Sequence, residues 1–300
     1  MKLNPFFSKP RSIFFDVAQL NIDPYSAAIS ISRYAYWKGS DLAISWFKGI
    51  ATCKETLIRH SGFASGVSTE KELSFSNGVI LKQIELAGDS FQVRHIKSIF
   101  HSTHPLELFF GNYSSHNCII YKETNHNRTN NFPDNPVSNR LLEDKEDILL
   151  GCILNKGLSP SLTVNWHEFV DSDLEKAETS QGFGGFPQDA PVSNGRSLND
   201  DDIRNIELFL CVEGDLKKSL RLALSRIGLA KRKSSIENKA IELCIALESL
   251  LNDGKSELTH KISTRAALIL GREYSDRVRF RNLFKKLYNI RSSAVHGQKS

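Results

Sequence analysis

The stretch RSSAVHG, residues 291–297, sets Arg291 and His296 five positions apart in a chain of 300 residues. Imidazole titrates near neutrality, so His296 is suited to take or give a proton. A guanidinium keeps its proton in a protein, but its planar fork of donors fits the oxygens of a phosphate. These two types together suit phosphodiester cleavage without a metal, which needs proton transfer and positive charge on the pentavalent intermediate. The spacing is less convenient. At 100° per residue, five positions put the two side chains about 140° apart around a straight helix. Either the helix end deforms, the long arginine reaches around, or a second chain related by a two-fold axis completes the site. The plainer alternative is that both residues meet the negative end of a helix dipole.

Other chemistry-bearing groups are weaker. Ser292 shares a helix face with His296, but no orienting acid and no G-x-S-x-G elbow accompany a Ser/His dyad. Ser292 therefore supports the site or caps the helix. Lys231, Arg232 and Lys233, and further on Arg277, Arg279, Arg281, Lys285 and Lys286, can meet phosphates, although exposed helix faces are commonly basic. Residues 200–300 hold 20 Lys and Arg against 13 Asp and Glu, while the rest hold 19 against 21. That asymmetry points the basic third at a polyanion. His95, His101, His104 and His116 match no standard ligand set and read as strand-surface histidines. GFGGF (182–186) lacks the lysine of a phosphate loop and reads as a linker. No metal and no cofactor are expected.

The elements that must position these residues change character along the chain. SIFFDV (12–17), GVILKQIELAG (78–88), SFQVRHIKSIF (90–100), LELFFG (106–111) and HNCIIYKE (116–123) are β-branched and aromatic, bounded by turn residues. SAAISISRYAYWK (26–38) fits strand or helix equally. NHNRTNNFPDNPVSN (125–139) is a loop by composition. Residues 171–199 are polar with Gly and Pro in their middle, a linker. Beyond them the period is helical. Ser197 or Asn199 caps a helix carrying Ile203, Ile206 and Phe209; Leu216, Leu220, Leu224 and Ile227 mark a second. Ser234 with Glu237 makes a capping-box pattern for a third, with Leu243, Leu247 and Leu250. A fourth ends at Gly271. A fifth, from Ser275 or Asp276 to Gly297, carries Leu283, Leu287, Ile290 and Ala294. Short loops between such helices imply an antiparallel bundle.

Composition excludes some classes. Hydrophobic content of 40% and charged content of 24% suit a globular chain with a sizeable core. No run approaches the roughly 18 apolar residues of a membrane-spanning helix. The basic start is interrupted by Pro5, Ser8, Lys9, Pro10 and Arg11, which breaks any secretory signal. Five scattered cysteines without a CxxC pair read as reduced thiols. A cytoplasmic protein is expected, with Asn127 of the Asn-Arg-Thr sequon unglycosylated.

RLALSRIGLAKRKSSIENKAIELCIALESLLN (221–252), ELTHKISTRAALILGR (257–272) and LFKKLYNIRSSAVHG (283–297) together resemble the HEPN domain of the ApeA-like kind. The resemblance covers about residues 200–297. It includes the R-x(4–6)-H signature as Arg291 to His296, and the approach Tyr288-Asn-Ile-Arg291-Ser292. Family members often continue into a further helix, whereas three residues follow Gly297 here. The resemblance implies a helical bundle that dimerises and, in active members, a metal-independent endoribonuclease. Many such proteins are toxins or anti-phage effectors; others have lost activity and bind RNA or dimerise only. Glu248 stands at the acidic position of the family's ALE segment, where it either orients Arg291 or is an exposed helix carboxylate. Tyr288 either stacks on a base or packs. The expectation is an α+β chain: a strand-rich, sensing or regulatory domain over 1–170, a linker over 171–199 and a HEPN-like bundle over 200–300. In it His296 is base or acid, Arg291 holds the phosphate, and the substrate is RNA, with tRNA a candidate.

Overall fold

The computed structural model describes residues 9–16, 18–88, 90, 93–94, 96–97, 116–130, 136–170, 195–251 and 258–296. In chain order its elements are β1 (Arg11–Phe15), β2 (Gln19–Ile22), α1 (Pro24–Lys38), α2 (Ser40–Thr52), β3 (Glu55–Ser65), β4 (Val67–Ser68), β5 (Leu73–Ser74), β6 (Ile80–Gln83) and β7 (Asn117–Thr129). There follow α3 (Pro136–Ile153), β8 (Ser161–Phe169), β9 (Arg196–Ser197), α4 (Asp200–Leu210), α5 (Gly214–Arg232), α6 (Ile236–Leu251), α7 (Leu258–Leu270) and α8 (Tyr274–His296). The chain is thus a mixed α+β protein. Among the described residues no helix is long and apolar enough to cross a membrane.

The ambiguous segment 26–38 is helix α1. Asp23 caps it, its carboxylate accepting the Ser26 N–H at 2.9 Å, and Pro24 opens it where a missing N–H does no harm. Two helices that no pattern announced, α2 and α3, stand among the strands. Within SFQVRHIKSIF the described Val93, Arg94, Ile96 and Lys97 are helical, not extended. LELFFG lies outside the described residues. The asparagine-rich stretch is not all loop, because β7 runs through Asn125 and Asn127 to Thr129, held by cross-strand pairing with β3.

Three long strands make the centre of an antiparallel sheet. β3 lies between β7 and β8, pairing Glu55↔Asn127 through Ser65↔Asn117 on one edge and Ile58↔Phe169 through Ser65↔Ser161 on the other. The register of β3 and β8 shifts between Phe63 and Ala64. The outer edge of β7 carries β1 at its end and β6 near its start, so the order is β2-β1-β7-β3-β8 with β5-β6 alongside. β4 and β9 form a separate parallel pair.

Alternation along the strands sends side chains to two faces. On one face Ala64, Leu81, Cys118 and Ile120 pack under Ile148 and Cys152 of α3 and Ile206 of α4. On the other, Phe63, Ile119, Tyr121, Val164 and Trp166 pack with Ile84, Val93 and Ile96. α1 and α2 close a third cluster around Phe15, Trp46 and Ile58. Ile153, Phe209 and Leu224 join α3, α4 and α5. Cys244, Ile262 and Tyr288 join α6, α7 and α8.

The helix starts follow capping chemistry, with one correction. Asn199, of the two expected caps, holds α4 in a reciprocal pair with Asp202. α6 is capped by Ser235 rather than Ser234: Ser235 Oγ accepts the Asn238 N–H at 3.2 Å and donates to Glu237 at 2.5 Å. α7 ends before Gly271, whose N–H reaches the Ala267 carbonyl at 2.9 Å.

Candidate functional site

α8 is one unbroken helix from Tyr274 to His296, so the helix does not deform between Arg291 and His296. The two Cα positions therefore stay about 140° apart around the axis and about 7.5 Å apart along it. His296 is the last described residue, and its side chain lies outside the description.

Tyr288 and Arg291, three residues apart on α8, face α6 together. Glu248 of α6 receives both. Its Oε1 is 2.8 Å from Arg291 Nη1 and accepts the Tyr288 hydroxyl at 3.3 Å. Tyr288 is 5% exposed, in the cluster with Cys244 and Ile262. The phenol is pushed well above its usual range by burial first, and then by the Glu248 carboxylate, so it stays a neutral donor. Burial likewise pushes the Cys244 thiol up to about 11, which leaves no thiolate nucleophile there. The Arg291 guanidinium lies 5.8 Å from the Tyr288 ring centre. Its Nε is buried with no hydrogen-bond partner among the described residues. Arg291 thus has one nitrogen committed to a carboxylate and its side chain 30% exposed. Such a guanidinium is held in place yet still accessible from one side.

The other expected residues are spread more widely. Ser292 is exposed. Arg281 reaches His260 Nδ1 at 3.4 Å, across to α7. Lys285 is partly buried and Lys286 exposed on α8. Arg277 donates to the Gly271 carbonyl at 3.1 Å and Arg279 pairs with Asp276 at 3.3 Å. Lys231 donates to the carbonyls of Leu158 at 2.8 Å and Ile153 at 3.4 Å, so its ammonium braces α5 on the end of α3. Arg232 lines a groove beside Glu146 and Arg221, and Lys233 is partly buried at the end of α5. Glu242, on the α6 face towards α5, pairs with Arg226 at 3.1 Å.

Sequence reading missed a second polar cluster. His60 and His126, 66 residues apart, put their Nε2 atoms 3.0 Å from each other, and Thr124 Oγ1 lies 2.6 Å from the same His126 atom. His167 is the cross-strand neighbour of His60. Burial holds His60 down to about 3, with the charges of His126, Lys145 and His167 acting the same way; burial also lowers His126 and His167. Only the alternation of strands not yet paired could have pointed there. Among the described residues no group of three or more His, Cys, Asp or Glu is placed to hold a metal ion. Of the four histidines expected on strand surfaces, His95, His101 and His104 lie outside the described residues, and His116 directly precedes β7.

No family model, no curated protein and no solved structure matches the chain. What the geometry defines is an α+β protein with an Arg–Glu–Tyr cluster on two packed helices.

Proposed function

We propose that the protein is a metal-independent endoribonuclease of the HEPN type, acting as a homodimer on RNA in the cytoplasm, as a toxin or defence effector. Residues 1–170 sense or regulate, and the helices of residues 200–300 cut. The supporting observation is the hold of Glu248, itself hydrogen-bonded by Tyr288, on Arg291, which keeps a guanidinium at a fixed place near the end of α8. In this reading His296 moves the proton between the 2′-hydroxyl and the leaving 5′-oxygen, while Arg291 stabilises the phosphorane charge. Because an unbroken helix separates the pair by about 140°, one chain's Arg291 works with the His296 of a second chain across a two-fold axis. The exposed apolar residues Leu268, Ile269, Leu270 and Tyr274 at the α7–α8 turn offer a surface for such pairing.

The test is cleavage of tRNA and total RNA in EDTA by the intact protein and by His296→Ala. Cutting that persists in EDTA and disappears in the variant supports the proposal. A second reading is a bundle that binds RNA or dimerises without cutting it, favoured by the Arg291–Glu248 pair serving as a structural tie between α6 and α8. RNA retained by both proteins with no cleavage at dimeric concentration favours that reading.

A further inference from the structure

The sheet face opposite α3 carries a cavity of about 390 Å³, within the roughly 300–1,000 Å³ of small-molecule sites. It stands on the N-terminal sheet and does not rest on the nuclease reading. Its lining follows from the strand register: Tyr121 of β7 and Ser61 of β3 lie side by side, with Arg59 of β3 and Glu168 of β8 paired in the next row.

Three features ask for a ligand. Ser61 is 1% exposed, and its Oγ finds no hydrogen-bond partner among the described residues, a state that native buried hydroxyls rarely keep. Arg59 bonds through two of its three guanidinium nitrogens: Nη2 and Nε meet Glu123 at 2.7 and 2.8 Å, whereas Nη1 is ion-paired with Glu168 at 3.7 Å, beyond hydrogen-bond distance, and the guanidinium carbon lies 5.0 Å from the Tyr121 ring centre. Lys82 brings a second cation to the wall, paired among the described residues with the more exposed Glu72 at 2.9 Å. Glu168, which accepts from Trp166 Nε1 at 2.9 Å and from Ser90, is the acceptor on the far side. Tyr121 supplies an aromatic wall.

We propose that this cavity binds a nucleoside monophosphate, its phosphate against Arg59 Nη1 and Lys82, its ring beside Tyr121, and a donor of the ligand on Ser61 Oγ or Glu168. Phosphate oxygens suit a guanidinium edge and an ammonium together. The Ser61 hydroxyl and the remaining Glu168 lone pairs suit a ligand that donates from a point away from its phosphate, which a nucleoside part supplies and inorganic phosphate lacks.

The full-length protein is titrated calorimetrically with each of the four nucleoside 5′-monophosphates, and with the matching nucleosides and inorganic phosphate. The expected result is saturable binding of at least one monophosphate at one site per chain, with its nucleoside and free phosphate at least about tenfold weaker, the loss of one charge-assisted contact. Lys82→Ala and Ser61→Ala are each expected to weaken it by about three- to tenfold while circular dichroism stays unchanged. If Ser61→Ala does not fold, Lys82→Ala decides, because the partly exposed Lys82 carries little packing. No saturable binding by any of the four, or binding untouched in a folded Lys82→Ala protein, overturns the proposal.

Discussion

At the scale of single residues the cluster on α6 and α8 is a matter of satisfied valence. Glu248 holds a cation and a buried phenol, so removing it strands both. Glu248→Ala is expected to lower stability by about 1–3 kcal/mol, discounted for partial exposure, in urea unfolding followed by circular dichroism. On the proposed nuclease function, RNA cleavage should fall at least tenfold in the same variant, since the guanidinium loses its aim. The imidazoles of the sheet give a second prediction. The unfolded chain takes up protons on these rings near pH 6.5, whereas folded His60 does so only near 3, and His126 and His167 are lowered in the same direction. Between those values the unfolded state binds more protons, so acid drives unfolding. Stability should be fully present above about 6.5 and decline by a few kcal/mol as pH falls towards 3. Urea midpoints taken across that window check it; a flat profile would refute the buried neutral pair.

At the scale of elements, the start of α4 is fixed by a very small piece of sheet. Gly195, just before β9, sits so close to Gly66 that a Cβ would stand 2.6 Å from its carbonyl group. Arg196 then grips Asp202, the residue that also completes the α4 capping pair with Asn199. Gly195→Ala is expected to cost about 1–3 kcal/mol, because the obstacle is backbone and cannot swing aside. Thermal melting, with Gly88→Ala as an open-space control, measures it. The capping of α4 was readable beforehand as Ser197 or Asn199, and the structure chooses Asn199; the parallel pairing of β4 with β9 was not, since two residues carry no period.

At the scale of the whole molecule, α4 belongs to two assemblies. Ile206 is fully buried beneath the sheet with Leu81 and Ile120, while Phe209 on the same helix packs with Ile153 and Leu224. The strand-rich part and the helices after it therefore share a core through α3, α4 and α5. Ile206→Ala should cost about 2–5 kcal/mol and lower the melting of sheet and helices together. Two transitions, with only the later helices affected, would show the parts to be independent.

What the sequence alone determined is what repeats along a short stretch. The 3.6-residue period of residues 200–296, the cap at Asn199 and the stop at Gly271 are local free energies, legible without a partner. The strands expected at 12–17 and 116–123 were legible for the same reason in part, as β1 (Arg11–Phe15) and β7 (Asn117–Thr129), whereas for Glu248 the choice between holding Arg291 and standing exposed was left open. What only the tertiary structure decided depends on chain segments far apart. The helical state of 40–52 and 136–153 comes from burial against the sheet, which a short apolar run does not reveal. The meeting of His60 with His126 and the Ser61 hydroxyl left without a partner among the described residues come from the register of β3 against β7 and β8. A slip of one residue would turn each of those side chains to the other face, and only the packed sheet forbids it.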